Sequence, residues 1–467
     1  MRYTTQFYFA LIIVLILFHS IIGFAQQQKS FGLDQNIEIL PAKNEAYNAL
    51  LSNFLKTDIQ NVFGTLDQKT VSKKIVLRIV GEKTSGIPDN VFKVLDKPLR
   101  GKWEVFSYKI YRENAINYLI ISGSDKRGLA YGVFNISEKI GVSPWYFWAD
   151  VPIQKRTSAL SVNDTISSTP SVKYRGIFIN DEDWGLQPWA AKTFEPETKD
   201  IGPKTYAKVF ELLLRLKANL ILPAMHPSTK AFYYYPQNKI IAQQYHIVVG
   251  TTHAEPLMRN NVDEWKDSTM GEFNYLTNKD RVIQYWRERL AEAKPFENLY
   301  SMGMRGKHDS GMEGVKSQKE AVELTNRIIK DQRNLLNNVL QKPQNEIPQV
   351  ITLYKEVLEL YKVGLEVPED ITLIWPDDNY GYIKNLSNED ERKRAGGSGV
   401  YYHASYWGRP HDYLWISSTD PALMRFEMQK AYTLKADKVW VVNVGDIKPL
   451  EYPTQLFLDM AYNIQPF

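Results

Sequence analysis

The chain has 467 residues, of which 44% are hydrophobic and 24% charged, close to the composition of an ordinary globular protein. Its net charge of +4 is spread over 57 basic and 53 acidic residues, and no basic block interleaved with aromatic residues argues for a nucleic-acid partner. The sequence contains no cysteine, which excludes disulfides, cysteine nucleophiles and thiolate metal sites.

The N-terminal segment, residues 1–25, is interpreted as a cleaved secretory signal peptide. Arg2 supplies a positive charge, an apolar run follows over residues 7–24, and Gly23 and Ala25 are the small residues expected before a cleavage site. An uncleaved membrane anchor is the alternative, because the apolar run is nearly long enough to span a bilayer. We expect an exported protein, periplasmic or extracellular, without stable membrane association after cleavage.

Residues 30–156 are predicted to form a smaller N-terminal α/β domain. Short β-type apolar runs cover residues 75–80 and 118–121. The next segment predicts a helix from an apolar stripe of Leu129, Val133, Ile136 and Ile140. A Ser/Thr-rich stretch over residues 157–172 then predicts a linker between domains.

From residue 173 to 467, short apolar strands alternate with amphipathic helices, which predicts a parallel sheet with helical crossovers. The predicted strands cover residues 175–180, 219–224, 247–252, 299–305, 349–356, 371–377, 399–407 and 438–445. Eight strands over roughly 290 residues match a (β/α)₈ TIM barrel. The rival, an open doubly wound sheet, would show a Gly-rich phosphate turn between strand and helix, and the sequence has none.

Polar and aromatic residues follow every predicted barrel strand. In a (β/α)₈ barrel these C-terminal strand ends build the active site. In chain order they are Asn180, Asp181, Glu182, Asp183, Trp184, His226, His253, Glu255, Arg305, His308, Asp309, Glu356, Asp377, Asp378, Asn379, Tyr380, Tyr402, His403, Tyr406, Trp407, Asn443 and Asp446. Each alone has an ordinary structural explanation, such as a helix cap or a core histidine. Together they predict a site that cleaves carbohydrate.

Cleavage of a glycosidic bond needs two carboxyl groups, one protonated and one ionised. Glu356 ends an apolar predicted strand, where burial favours the neutral form that a general acid requires. Asp309 and Asp378 lie in polar loops and are expected to stay ionised. Either could therefore serve as the base.

Arg305 is not needed to break a glycosidic bond, but its planar fork matches a carboxylate bidentately. An arginine in a sugar pocket therefore suggests an acidic sugar such as a uronic acid. A salt bridge to Asp309, four residues on, is the equally plausible structural role.

A metal centre is the alternative chemistry. His253 and Glu255 have the H-x-E spacing of zinc deaminases, which also need the cysteine ligands that this chain lacks. Histidines and acids from separate strands could still form a metal site of the amidohydrolase kind. The sequence has no H-E-x-x-H motif and no G-x-S-x-G elbow, so neither a zincin nor a serine hydrolase is expected. We predict no cofactor and no metal.

Whole phrases of the sequence resemble glycoside hydrolase family 115, the xylan α-1,2-glucuronidases. They are RGIFINDEDWGLQPWA, GTTHAEPLMRN, YSMGMRGKHDSGM, WPDDNYGYI, YYHASYWGRPHDYLW and VWVVNVGDIKP. The resemblance covers essentially everything after the signal peptide. It implies an N-terminal α/β domain of the hexosaminidase type, a catalytic barrel, and inverting, metal-independent removal of glucuronic acid or its 4-O-methyl ether from xylan.

The resemblance also implies residue roles. Arg305 would recognise the uronate, Glu356 would be the general acid, and the base is left open between Asp309 and Asp378. Substrate binding is predicted for Asp183, Trp184, His226, His253, Arg305, Asp377, His403, Tyr406 and Trp407. Inversion predicts a separation of roughly 6.5–9.5 Å between acid and base.

Members of this family are longer, with a helical region and further modules after the barrel that contribute to dimerisation. We therefore expect this sequence to be C-terminally truncated, with a homodimer as one assembly. Its expected partner is glucuronoxylan. The rival function is a carbohydrate-binding barrel that does not cleave its ligand.

Overall fold

The structure, a computed structural model, describes residues 30–43, 45–66, 72–307, 310–408, 414 and 416–467. The predicted signal peptide, residues 1–25, lies outside the described residues, as do His308 and Asp309. Within the described ranges, no helix combines the length and the hydropathy needed to cross a membrane.

The N-terminal domain is built on a five-stranded mixed sheet with a separate two-stranded ribbon. Its strands are β1 (Ser30–Leu33), β2 (Glu38–Pro41), β3 (Lys73–Ile79), β4 (Phe106–Glu113), β5 (Ile116–Gly123), β6 (Leu160–Asn163) and β7 (Thr165–Ile166). The sheet order is β2-β3-β5-β4-β7, and β1 pairs with β6. Its helices are Ala46–Phe63, Asp89–Asp96 and Lys126–Ile140.

The helix Lys126–Ile140 shows how the sequence specifies a local element. Asp125 caps its start, with the carboxylate accepting from the Gly128 N–H at 2.8 Å. Gly141 ends it at φ 106°, in the left-handed region that glycine tolerates. The apolar stripe expected from the sequence, Leu129, Val133, Ile136 and Ile140, is fully buried.

The predicted linker, residues 157–172, is not a free connection. It contains β6 and β7, which pair with β1 and β4 through contacts such as Phe31 with Val162 and Tyr108 with Thr165. Threonine and valine suit a pleated edge strand, and β1 and β4 each offer an edge with backbone groups to satisfy. The N-terminal domain therefore extends to Ile166.

The barrel follows as predicted. Its strands are β8 (Tyr174–Ile179), β9 (Leu220–Leu222), β10 (Val248–Gly250), β11 (Asn298–Ser301), β12 (Gln349–Thr352), β13 (Thr372–Pro376), β14 (Ser398–His403) and β15 (Val439–Gly445). Every neighbouring pair is parallel, and β15 pairs with β8 to close the barrel. Buried side chains that include Phe178, Leu220, Val350 and Val441 fill its interior.

Amphipathic helices surround the barrel. The longer ones are Pro203–Arg215, Pro236–Gln244, Lys279–Ala293, Gln318–Leu340, Pro421–Thr433 and Glu451–Tyr462. Shorter helices are Leu186–Trp189, Asn261–Glu264, Asp267–Met270 and Glu356–Lys362, with a π-helical turn at Ala190–Phe194 and 3₁₀ turns at Glu182–Trp184, Phe232–Tyr234, Pro256–Met258, Gln344–Glu346 and Glu391–Lys393. The short helices and turns in the loops after the strands position the polar residues predicted for the site.

A buried charge network joins the two domains. Glu104 of the N-terminal domain accepts from Arg175 in β8 at 2.6 Å, from Arg127 at 2.6 Å and from Asn219 at 2.8 Å. Burial alone would raise the pKa of Glu104, but the two guanidinium groups lower it below its ordinary value. We name these four residues the domain seam.

Candidate active site

Three predicted histidines meet in a small cavity at the C-terminal ends of the barrel strands. His226, His253 and His403 line this cavity of about 120 Å³ together with Tyr406 and Trp407. They come from the ends of β9, β10 and β14, which are far apart in sequence. The barrel therefore brings these five residues, each predicted to bind substrate, to one place, and we call this space the histidine cavity.

Asp377 lies behind His403. Its Oδ1 contacts the Nδ1 of His403 at 2.6 Å and accepts the His403 backbone N–H at 3.1 Å, while Oδ2 accepts from the Gly381 N–H at 2.9 Å. A carboxylate only accepts, so Nδ1 carries the hydrogen, and Nε2 is the acceptor of the neutral ring. Asp377, predicted to bind substrate, has a fully buried side chain and instead orients His403.

His226 and two tryptophans form the opposite wall. The His226 Nδ1 lies 3.2 Å from the Asp183 carboxylate. Its ring packs against Trp407 with centroids 5.4 Å apart, and Trp407 meets Trp184 edge-to-face. Both tryptophans are about half exposed, an arrangement that suits stacking on a sugar ring at the rim. The tryptophans extend the histidine cavity outwards.

Arg305 and Glu356 form a bidentate ion pair. The Arg305 Nε donates to Oε1 at 2.5 Å and Nη2 donates to Oε2 at 2.7 Å. Arg305 is buried, whereas the Glu356 side chain is 37% exposed. The pair lines a second cavity of about 450 Å³ that shares His253 with the histidine cavity. Glu356 is therefore a partner of Arg305; the bridge to Asp309 involves a residue outside the described ranges.

The local position of Glu356 differs from the prediction. Strand β12 ends at Thr352 rather than at Glu356, and Glu356 is the first residue of the helix Glu356–Lys362. The preceding Lys355 adopts φ 50° and ψ −124°, which a non-glycine residue rarely occupies. The apolar run through Tyr354 hid this turn, because a buried loop and a buried strand look alike in sequence. Such strain beside a polar residue is typical of functional sites.

Asp378 serves its own loop. Its Oδ1 accepts from the Tyr380 and Tyr382 N–H groups at 3.1 and 3.2 Å, and Oδ2 pairs with Lys384 at 2.7 Å. Burial opposes ionisation, but the Lys384 contact and these N–H groups lower the pKa of Asp378. Among the described residues, Asp378 lines neither the histidine cavity nor the cavity beside Arg305. Asp378 stays a candidate base, but both of its oxygens already have partners within its own loop.

Two buried carboxyl groups at the strand ends had no assigned role. Glu182 is fully buried, and burial raises its pKa to about 8, although its Oε1 accepts the His226 N–H at 2.7 Å. Burial, followed by the charges of Glu264 and Glu182, raises the pKa of Glu255 well above its ordinary value. Their positions at strand ends were visible in the sequence, but their burial was not.

Two tyrosines at the centre of the site were missed. Tyr354 and Tyr401 line the histidine cavity, where Tyr401 packs 4.6 Å from His403 and Tyr354 packs 4.9 Å from His253. Both lie inside apolar runs and read as core residues. The available signal was that Tyr354 lies two positions before Glu356.

The histidines and carboxylates of the site bear on the predicted absence of a metal. Within the described ranges, no group of three or more His, Asp or Glu side chains is arranged to hold a metal ion. Asp309 lies outside these ranges. Instead, Glu356 pairs with Arg305, and Asp183 and Asp377 contact His226 and His403.

The chain is similar to known proteins in sequence and in fold. The family model of glycosyl hydrolase family 115 matches residues 167–467. A solved family 115 4-O-methyl-α-glucuronidase with specificity for decorated arabinogalactans is 42% identical, with a TM-score of 0.85. The alignment covers 93% of this chain but 58% of that protein, so the chain spans less than two thirds of its length.

A second solved structure shares the fold at low identity. It is a family 138 enzyme targeting pectin rhamnogalacturonan II, 12% identical with a TM-score of 0.50, and the alignment covers 91% of this chain and 51% of that enzyme. No curated protein gives a significant match.

Proposed function

Because this chain belongs to glycosyl hydrolase family 115, we propose that it is an inverting α-glucuronidase. It removes (4-O-methyl)-glucuronic acid side chains from a plant polysaccharide. The observation that carries this proposal is the bidentate pair between Arg305 and Glu356, which brings a carboxylate-recognising fork and a candidate acid together at the strand ends.

Arg305 is the uronate receptor in this proposal. Its Nε and Nη2 already hold one carboxylate, Glu356, in the geometry that a uronate carboxylate would need. A bound uronate competes with Glu356 for this fork. The substrate carboxylate therefore displaces Glu356 and releases its side chain towards the glycosidic oxygen.

Glu356 is the general acid. Both of its oxygens accept from Arg305 in the structure, so in this arrangement no carboxyl hydrogen can face the guanidinium. Released from Arg305, the carboxylate first takes up a proton from solvent and then gives it to the leaving sugar oxygen while the bond to the anomeric carbon breaks. A neutral sugar has no carboxylate to displace Glu356 from Arg305, so the acid is not released. The enzyme should therefore have a higher kcat for uronides than for neutral glycosides.

The base activates a water on the opposite face of the uronic acid ring. Asp309 and Asp378 were the candidates, and both Asp378 oxygens are occupied within its own loop. This engagement supports Asp309. The roughly 6.5–9.5 Å separation expected for inversion stays a prediction, because Asp309 lies outside the described residues.

The histidine cavity holds the uronic acid ring. Asp377 keeps Nε2 of His403 as the acceptor for a sugar hydroxyl, and Tyr354 and Tyr401 supply aromatic walls beside it. Trp184 and Trp407 at the rim stack on the sugar that carries the branch. Glucuronoxylan is the expected polysaccharide, and the specificity of the 42% identical relative makes decorated arabinogalactan the second substrate to test.

The site of action follows from the substrate. We propose export of the protein, since both polysaccharides occur outside the cell and residues 1–25 have the pattern of a signal peptide. A homodimer is part of the same proposal, to be tested by light scattering.

The deciding experiment is proton NMR of products released from glucuronoxylan and from decorated arabinogalactan. The β-anomer of the uronic acid should appear first from the α-linkage, before mutarotation mixes the anomers. Release of the α-anomer would refute inversion. Binding without any release of uronic acid from folded protein would instead identify a non-catalytic carbohydrate-binding barrel, and loss of activity with chelator would identify a metal-dependent hydrolase.

A further inference from the structure

A third cavity lies where the N-terminal domain meets the barrel. It has a volume of about 630 Å³, within the range of ligand-binding pockets. Its walls come from the segment after the helix Lys126–Ile140, from the loop after β8 and from the loop after β15. The residues are Tyr146, Phe147, Trp148, Asp150, Gly185, Leu186, Trp189, Asp446 and Lys448. We call it the Asp446 cavity.

Its aromatic wall is fixed in place. Trp189 stacks on Phe194 with centroids 4.8 Å apart and planes 10° from parallel. Phe147 packs edge-to-face against both Trp148 and Trp189. The Trp148 Nε1 donates to the Lys208 carbonyl at 3.3 Å, which anchors that ring to the barrel. The rings are therefore held ready for a ligand face, at little entropic cost on binding.

The buried polar group of this cavity is Asp446. The residue is 8% exposed, and its Oδ2 is buried with no hydrogen-bond partner among the described residues. Leaving a buried carboxyl oxygen unpaired costs free energy, so a partner from a ligand is expected. Burial, then the charge of Asp181, raises the pKa of Asp446 to about 7, which lets the group donate as well as accept near neutral pH.

The charges select the class of ligand. Asp150 and Asp446 both line the cavity, which disfavours an acidic sugar, and Lys448 on the same wall disfavours an organic cation. Aromatic faces with one buried hydrogen-bonding carboxyl suit the apolar face and hydroxyl groups of a neutral sugar. This is the opposite of the Arg305 site, which is built for a carboxylate.

We propose that the Asp446 cavity is a second carbohydrate site, which binds a neutral sugar unit of the polysaccharide whose acidic branch enters at Arg305. Trp189 supplies the stacking face and Asp446 the hydrogen bond. The two sites are linked through one loop. Asp183 contacts His226 and Trp184 contacts Trp407, two residues that line the histidine cavity, while Gly185 and Trp189 line this one. The identity of the polysaccharide rests on the proposed function; the neutral sugar site does not.

The test is calorimetric titration with two neutral, unbranched probes, xylotriose and β-1,3-galactotriose. Neither has a carboxylate, so neither competes for Arg305. Trp189→Ala and Asp446→Leu should each weaken binding of the preferred probe about 10-fold, since each removes one contact of the kind that binds a sugar. Phe426→Ala, which removes an exposed aromatic ring on the helix Pro421–Thr433 that lines neither this cavity nor the histidine cavity, is the matched control and should leave this binding unchanged.

Hydrolysis of a small aryl α-glucuronide separates this proposal from the proposed function. Trp189→Ala should cleave this substrate at the wild-type rate, because it carries no neutral sugar unit. If the wild type binds a trisaccharide through Trp189 but does not cleave the glucuronide, the second carbohydrate site is supported and the glucuronidase assignment is refuted. If folded wild-type protein binds neither trisaccharide at millimolar concentration, or if binding ignores both Trp189→Ala and Asp446→Leu, the second site is refuted.

Discussion

The domain seam and the strand ends of the barrel both bury acidic side chains, but they differ in the hydrogen-bond partners that they provide. At the seam, both oxygens of Glu104 accept from Arg175, Arg127 and Asn219. At the strand ends, Glu182 and Asp446 each keep one buried oxygen without a hydrogen-bond partner among the described residues. Burial is comparable, so the difference lies in the partners.

The consequence appears in the direction of the pKa shifts. Paired guanidinium groups lower the pKa of Glu104 despite its burial, whereas burial raises the pKa of Glu182 and Asp446. A buried acid that is fully paired holds two parts of a fold together. A buried acid with an oxygen that lacks a hydrogen-bond partner destabilises the folded state. Such a group marks a place where a ligand or a proton is expected.

The largest expected effect is on catalysis. Glu356→Gln removes the proton that the leaving oxygen needs, so kcat should fall on the order of 10³-fold on a polysaccharide substrate. Thermal stability should also fall, because the variant removes the bidentate partner of the buried Arg305, so kcat is compared on folded protein. Glu359→Gln is the control, as this exposed neighbour on the same helix pairs with Lys362. Equal losses in both variants would assign the effect to the helix rather than to the acid.

Loss of Glu104 from the domain seam should lower the stability of the protein. Glu104→Gln leaves the buried Arg175 without a compensating carboxylate and leaves Arg127 with Glu297 alone, and the free energy of unfolding should drop by about 3 kcal/mol in urea titrations. Glu297→Gln removes a half-exposed partner of the same Arg127 and should cost under about 1 kcal/mol. Comparable costs for the two variants would contradict a buried, structural network.

The raised pKa of Glu182 predicts how stability depends on pH. The folded protein binds the Glu182 proton more tightly than the unfolded chain, so its contribution is fully present below pH 4.5 and is lost as pH rises through about 8. Glu182→Gln, neutral throughout, should flatten this fall by on the order of 2 kcal/mol, since relaxation around a buried charge reduces the ideal value. Parallel melting-temperature profiles for wild type and variant would count against a buried, protonated Glu182.

The smallest effect is expected where an acid acts through another residue. Asp377→Asn should lower kcat about 10-fold with little change in KM, because His403 loses the carboxylate that fixes its tautomer. Nitrogen chemical shifts of the His403 ring should report a mixture of tautomers in the variant. A normal tautomer together with normal kcat would show that Asp377 only supports the loop.

The sequence determined the architecture. Short apolar runs located all eight barrel strands, and an apolar stripe at helical spacing located the helix Lys126–Ile140, because burial dictates those patterns directly. The residues at the strand ends were equally visible, since a parallel barrel brings its C-terminal ends to one face. Ser/Thr-rich residues 157–172 were misjudged as a linker because edge strands carry little apolar signal.

Only the tertiary structure decided which polar groups meet. The contacts between Arg305 and Glu356, and between Asp377 and His403, join residues at or beyond the ends of different strands, and no local pattern records them. The same holds for the unpaired oxygen of Asp446, because a sequence gives the identity of a side chain but not its accessibility or its partners. Composition and periodicity are local properties of the sequence, and they specify the barrel. The pairing and burial of side chains depend on contacts between distant residues, and they decide the chemistry of the site.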